Sequence, residues 1–387
     1  MYRSESRIKF EERRQGAFFA EIKRAAAEYF AATGKSRYAT PGVWLKGGFY
    51  AALVAAAYAA MLGGFGGSLA VIAAGYAVFG LASLALAFNL AHDASHFVLA
   101  RRRWINRAVH EIVFALMGVS GYLWQMRHVG SHHVFPNVPG CDADIDDNGI
   151  VRLAPHAAWK PWHRLQHLYA PLLYPLATLH TMLVQDFVYL FKRRLANMAH
   201  IRHCPAQIAI FIAGKVFHFG VVLALPLMLS GRSTGEIVAC YFLMSALVSM
   251  AFVYVVIGTH IADEASFPEI GPGGRIATSW AQHAVEASID WVPNSRVAAF
   301  LLGGFNSHVT HHLFPTVSAA HYPALTPIVQ AAARRHGLKY TETTFPGVIR
   351  AHFRMLRLMG RGPHARGTAR LAPSTRKIAG HVAVAGL

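Results

Sequence analysis

The sequence predicts an all-α integral membrane fold, with four transmembrane helices in two hairpins and a cytosolic helical cap. Three observations predict it. Apolar residues make up 54% of the 387 positions and charged residues only 14%, against roughly 25% charged in typical soluble domains. No charged residue occurs from Gly47 to Ala91, a run too long for one crossing at about 20 residues per span. The basic residues gather in a few clusters that a four-span count places on one side of the bilayer.

Residues 1–46 form a cytosolic N-terminal segment, in which Phe18, Phe19, Ile22, Ala26, Tyr29 and Phe30 recur at helical spacing opposite Arg13, Arg14 and Lys23. This amphipathic helix suits either a packed cap or membrane attachment, and no secretory signal pattern precedes the first apolar run. The long uncharged run must be two spans, reversed at Gly63, Gly64, Gly66 and Gly67 around Phe65, where glycine accepts the positive dihedral angles of a tight turn. A second pair runs from Ile208 to Ser230 and from Ile237 to Gly258, with Gly231, Arg232 and Glu236 in or beside the link. Ala108 to Trp124 and Leu165 to Phe191 are also apolar. A crossing by either would put the histidine groups described below on opposite faces, so both are read as interfacial or re-entrant helices. Lys215 and His218 fall inside the third span, where ionisable groups are functional candidates; snorkelling toward the cytoplasm is the expectation for Lys215. The main domain is expected over 47–360, followed by a basic, disordered tail over 361–387.

A formal charge of +18 raises nucleic-acid binding, but its distribution excludes it. Lys and Arg flank apolar segments, as at Arg101 to Arg103 and Lys192 to Arg194, with no basic motif interleaved with aromatics. The charge reads as topology and contact with anionic lipid. Cys141, Cys204 and Cys240 lie far apart, which suggests neither a disulfide framework nor a thiolate metal site.

Eight of the 23 histidines form three tight groups. His92 and His96 lie four apart at the end of the second span, a spacing that stacks both rings on one helix face. His128, His132 and His133 form the second group, and His308, His311 and His312 the third, at i, i+3 and i+4. Imidazole suits iron, copper, zinc and nickel alike. One zinc takes about four ligands, so eight clustered histidines point to two metals. His260, where the fourth span leaves the membrane, is a further ligand candidate, with His283 as its competitor. Lone histidines such as His110, His163 and His218 are read as surface or satisfied core residues. Carboxylates near the groups can orient metal-bound imidazoles: Asp93, Asp144 and Asp263 foremost, with Asp142, Asp146, Glu264 and Asp290 also near.

These three histidine boxes resemble the signature of the membrane fatty acid desaturases. The likeness extends to NLAHDASH, GCDADIDDNGIVRLAP, QHLYAPLLYPL, and GGFNSHVTHHLFP followed by HYPALTPIV, which resemble the bacterial and cyanobacterial branch related to linoleoyl-CoA and front-end desaturases. It covers roughly residues 10 to 360. It implies two non-haem iron ions on the eight box histidines and His260, with no catalytic residue beyond that centre. It also implies O2-dependent insertion of a double bond into an acyl chain linked to CoA, acyl-carrier protein or lipid. The third box begins with His308, where many front-end desaturases have glutamine. No HPGG haem motif is present, so the resemblance implies an external electron donor such as ferredoxin, rubredoxin or cytochrome b5. It places the site on the cytoplasmic side of a bacterial inner membrane. The alternatives are a fatty acid or carotenoid hydroxylase or ketolase on the same scaffold and, from another class, a non-catalytic metal-binding membrane protein.

Overall fold

The computed structural model describes residues 3–4, 8–11, 16–145 and 149–362. Arg13, Arg14, Asp146 and the tail from residue 363 onward lie outside the described residues.

Among the described residues four helices are long and apolar enough to cross a membrane: Pro41–Met61, Leu69–Ser95, Pro205–Leu229 and Thr234–Thr259. Their ends are written in the sequence. Pro41 and Pro205 open the first and third, where the missing N–H costs nothing. Ser68 caps the second by accepting from the Val71 amide. Ser233 and Glu236 form a reciprocal capping box on the fourth, an N-terminal device contributing about 1 kcal/mol. Gly63, Gly66 and Gly67 take positive φ in the first link, and so does Phe65. The two links meet, since the Arg232 guanidinium donates to the Gly67 carbonyl at 2.6 and 2.9 Å. The first histidine box and His260 therefore belong to the opposite ends of their helices.

The outer faces of these helices carry large exposed side chains such as Ile212, Val216, Met228 and Phe242, the surface expected against hydrocarbon. Neither of the other two apolar segments is among the candidate spans. One is the helix Arg103–Leu116 followed by Gly121–Arg127. The other is broken into short α, 3-10 and π pieces between Pro161 and Phe191. Lys215 does not snorkel. It is buried, and its Nζ donates to Asp186 at 2.6 Å and to the carbonyls of Gly118 and Met182 at 2.7 Å each.

The chain is mostly helical rather than wholly so. Among the described residues three short strand pairs occur: Arg3–Ser4 antiparallel to Met198–Ala199, Lys9–Phe10 parallel to Arg275–Ile276, and Ile289–Trp291 parallel to Thr341–Thr343. The N-terminal helix Gly16–Thr33 buries Phe18, Ile22 and Ala26 against Val309, Leu313, Leu325 and Val329, so its apolar face packs on the region carrying the third histidine box.

Helix Arg296–Leu302 ends on Gly303 at φ +60°, pressed against the π-helical turn Ala87–Ala91 that precedes His92. A β-carbon at Gly303 would stand 2.1 Å from the Phe88 carbonyl oxygen. Gly303→Ala is therefore expected to destabilise the protein by more than the roughly 1–2 kcal/mol that the left-handed conformation alone costs a residue with a β-carbon. The check is a lowered midpoint of thermal unfolding in detergent.

Candidate metal centre

Each histidine box is delivered by a different backbone device. His92 starts the last helical turn of the second span, directly after the π turn. The second box lies on a π turn, His128–His132, closed by the His133 amide on the His128 carbonyl at 2.9 Å. That closure links residues five apart, so it brings His133 round to the side of His128, which an α-helix would not do. The third box is the short helix His308–Leu313, whose first turn is held where the Val309 amide donates to Asp290 at 2.8 Å. His260 follows a single 3-10 turn at the end of the fourth span.

These devices bring all eight box histidines and His260 together. Ring nitrogens of His92, His96, His128 and His311 lie within 4.8 Å of one another, as do those of His132, His260, His308 and His312. His133 joins His311 and His312 in a third such group, between the two. All nine are buried except His96, which is half-buried. His283 is elsewhere, with its Nε2 2.6 Å from the Pro136 carbonyl.

The nitrogens face one another in a way that protons cannot satisfy. His260 Nε2 stands 3.1 Å from His132 Nε2, 2.9 Å from His308 Nε2 and 2.9 Å from His312 Nε2. His128 Nε2 likewise has His92 Nε2 at 3.2 Å and His133 Nε2 at 3.1 Å. A ring nitrogen carries one N–H or one lone pair, so at most one contact at each atom can be a hydrogen bond. His96 Nε2 and His311 Nε2 are shielded from solvent with no partner at all. Lone pairs directed at a common cation remove the conflict. Nitrogens at right angles around an ion, each at about 2.1 Å, would be about 3.0 Å apart. The donor set therefore fits metal, and the cluster could hold one.

The electrostatics agree. Burial, then the neighbouring imidazoles, hold His128, His133, His260, His308, His311 and His312 well below the ordinary histidine range, and His96 is lowered to about 3. A neutral ring keeps its lone pair. His132 differs: burial opposes its charge, but Asp142 and Asp144 outweigh burial and raise it to about 9. Surroundings that favour an extra proton there also favour a cation.

The carboxylates sort differently from the sequence expectation. Asp142 accepts from His132 Nδ1, with oxygens at 3.0 and 3.1 Å, and is itself fixed by the Asn137 and Asp144 amides. Asp144 lies 3.7 Å from the same nitrogen and 3.0 Å from Arg127. Asp93 touches no histidine through a hydrogen bond; it clamps the Ser318 hydroxyl at 2.5 Å and the Ala319 amide. Asp263 pairs with Arg354 at the surface. Other outer ring nitrogens use neutral partners: His260 Nδ1 the Ala287 carbonyl at 2.8 Å, and His311 Nδ1 the Tyr322 hydroxyl at 3.3 Å. Asn137 was missed in the sequence. Its side chain donates to the carbonyls of His260 and Ser266 at 3.1 Å each, tying the second box to the end of the fourth span, and a lone asparagine carries no pattern that reveals this.

A cavity of about 460 Å³ opens beside the cluster, lined by His128, His132, His260 and His308 and by polar Arg127 and Asp144. A narrower apolar cavity, lined by His92, Leu84, Phe88, Phe114 and Met117, shares Trp124, Phe252 and Phe305 with it. Trp124 stacks 4.4 Å from His128, and Phe305 lies 4.6 Å from His92.

Asp142→Asn removes the anionic acceptor on His132 while keeping its shape. Bound metal is expected to weaken by roughly 10–100-fold, read as the chelator concentration that strips half the metal from purified protein. Unchanged resistance to chelator would mean that Asp142 does not tune the centre.

Comparison with known proteins agrees with this geometry. The chain is 27% identical over 366 residues to an sn-1 linoleoyl-lipid 6-desaturase of Arthrospira platensis, covering 92% of this chain and 95% of that protein. It is 29% identical over 364 residues to the enzyme of the same name from Synechocystis sp., covering 92% and 98%. It is 27% identical over 347 residues to an acyl-lipid (8-3)-desaturase of Physcomitrium patens, covering 89% and 72%. The fatty acid desaturase family model matches residues 66–344, most of the chain, and with the histidine cluster lying inside that range the protein belongs to the fatty acid desaturases, a family of oxidoreductases.

Proposed function

We propose that this chain inserts a double bond into the acyl chain of a membrane lipid, with O2 as oxidant and two iron ions as cofactor. The observation that carries the reading is the pair of four-histidine groups, joined through His133 and facing a cavity that continues into an apolar one. His92, His96, His128 and His311 would hold one iron. His132, His260, His308 and His312 would hold the other, with His133 between them. Bound iron would supply activation of O2 and the oxidising power to remove two hydrogens from unactivated carbons.

The protein's own part is placement and dryness. Imidazoles leave the charge of the metals uncompensated, while Asp142 and the carbonyl of Ala287 fix ring orientation. Trp124 and Phe305 stand between cluster and apolar cavity, where they confine an extended chain against the histidines and shed water. The wider cavity, with Arg127, Gln185 and Lys192 in its wall, suits the polar end of the substrate.

Lipid linkage, rather than CoA or acyl-carrier protein, is favoured by the wall of that cavity: Val184 and Val188 line it and are also exposed on the outside of the protein. A lipid can therefore enter sideways. The names of the relatives above, which specify lipid-linked acyl groups, support the same substrate. The four spans form two membrane hairpins, with the histidine cap on the cytoplasmic side near the basic clusters Arg101–Arg103 and Lys192–Arg194. There an external donor such as ferredoxin, rubredoxin or cytochrome b5 supplies the electrons.

Expression in a host lacking the activity, followed by mass spectrometry of its lipids, is expected to show a new double bond. His311→Ala is expected to abolish it. A new hydroxyl or keto group instead would assign the chain to hydroxylation.

Chain length has its own test. Beyond Met117 and Thr178 lies a small chamber lined by Phe79, Ser83, Met244 and Val248, and Ser83 there has a buried hydroxyl without a partner. Ser83→Leu fills the chamber at little polar cost. The longest fatty acid desaturated is expected to shorten, as read by gas chromatography, and an unchanged length distribution would place the methyl end elsewhere.

A further inference from the structure

Away from the histidine cluster, a surface recess gathers three arginines. Arg164, His167, Arg357 and Arg361 line a cavity of about 340 Å³ completed by Gly360 and Gly362. Close backbone packing enforces this clustering. A β-carbon at Gly360 would stand 2.6 Å from the His163 carbonyl oxygen, and the Trp159 indole donates to the Gly360 carbonyl at 3.0 Å. The end of helix Phe345–Gly360 is thereby pressed onto the turn that carries Arg164.

Among the described residues no carboxylate pairs with Arg164, Arg357 or Arg361, whereas nearby Arg354 is paired with both Asp263 and Glu264. Among the described residues Arg164 faces the Trp159 ring, 5.4 Å away. His167 Nδ1 is shielded from solvent and has no partner. Three like charges gathered without a counter-charge repel one another, and an anion with several acceptor oxygens relieves this. Phosphate matches three guanidinium forks.

The source of the phosphate follows from what flanks the recess. On the segment that carries Arg164 and His167, Leu165, Leu168 and Leu172 are 59%, 60% and 75% exposed, and Trp162 is 52% exposed. Exposed leucines beside an exposed tryptophan and arginines mark the level where hydrocarbon meets headgroups. We infer that this recess binds the phosphate of an anionic phospholipid, at a site separate from the acyl cavity.

The test uses full-length protein in nanodiscs holding equal phosphatidylglycerol and phosphatidylcholine, released into a native mass spectrometer. Phosphatidylglycerol is expected to be retained in preference to phosphatidylcholine. In R164Q/R357Q the preference is expected to fall roughly tenfold or more. R24Q/R334Q, which removes equal charge from the helices Gly16–Thr33 and Tyr322–Arg335, should keep the preference. The R164Q/R357Q protein should melt and hold iron as the wild type does, which separates lost binding from lost folding. Equal retention of the two lipids by the wild type, or a preference unchanged in R164Q/R357Q, would overturn the inference. A detergent-solubilised protein that retains CoA or inorganic phosphate but not phosphatidylglycerol would also overturn it, by giving the recess to a soluble phosphate.

Discussion

The structure depends on one constraint: nine imidazoles, eight of them buried, are gathered in one place with their ring nitrogens pointing at one another. Protonating several rings there would bury uncompensated charge, which costs several kcal/mol per ion. Most of the rings are kept neutral, His132 beside Asp142 and Asp144 excepted, and their inner nitrogens form a surface rich in lone pairs. Such a surface suits cations. The rest of the cap follows from the need to aim those lone pairs. Asp142, the Ala287 carbonyl and the Tyr322 hydroxyl each take one outer nitrogen, and each comes from a segment outside the box it orients.

Aiming also demands departures from regular helix. A run of α-helix presents residues three and four apart on one face, which suffices for His308, His311 and His312. It does not suffice for His128, His132 and His133, and there the backbone adopts a π turn. The same device directly precedes His92. Asn89 within that turn donates to the carbonyls of Ala85 and Leu301. The widened turn is thus tied to the helix leading into the third box, and two ligand-bearing segments are set relative to each other by one side chain.

Much of this was legible in the sequence. Spans are read from run length, because the bilayer sets a length and tolerates few charges, while their starts lie a few residues before the apolar runs, at Pro41, Pro205 and Thr234. His260 was legible because topology placed it beside His92 and His96. How the rings divide was not legible. The first group draws on all three boxes, and the second combines His132 and His260 with two residues of the third, since π turns and tertiary packing decide which face of each box looks where. The carboxylates, Asp142 and Asp144 among the candidates, rank differently in the structure for a related reason. Asp93 adjoins His92 in sequence, but neighbours on a helix point apart, and its oxygens hold Ser318. Asp142 lies ten residues from His132 and reaches it only because the loop returns across Asn137.

Lys215 shows why a charge can stand in the middle of an apolar span. The segment from Met117 to Ser120 interrupts the helix leading to the second box, and it passes close to the third and fourth spans. An irregular segment there exposes peptide groups that hydrocarbon cannot satisfy. Lys215 takes the Gly118 and Met182 carbonyls, Asp186 takes the Ser120 amide, and the two charges neutralise each other. His218 takes the Leu116 carbonyl and the Tyr241 hydroxyl. These side chains take up several of the hydrogen bonds that a continuous helix would have made. An ion pair buried for that purpose need add little to stability. Its effect is to let the chain turn at that depth, which carries Trp124 and His128 to the edge of the cavity where an acyl chain would lie.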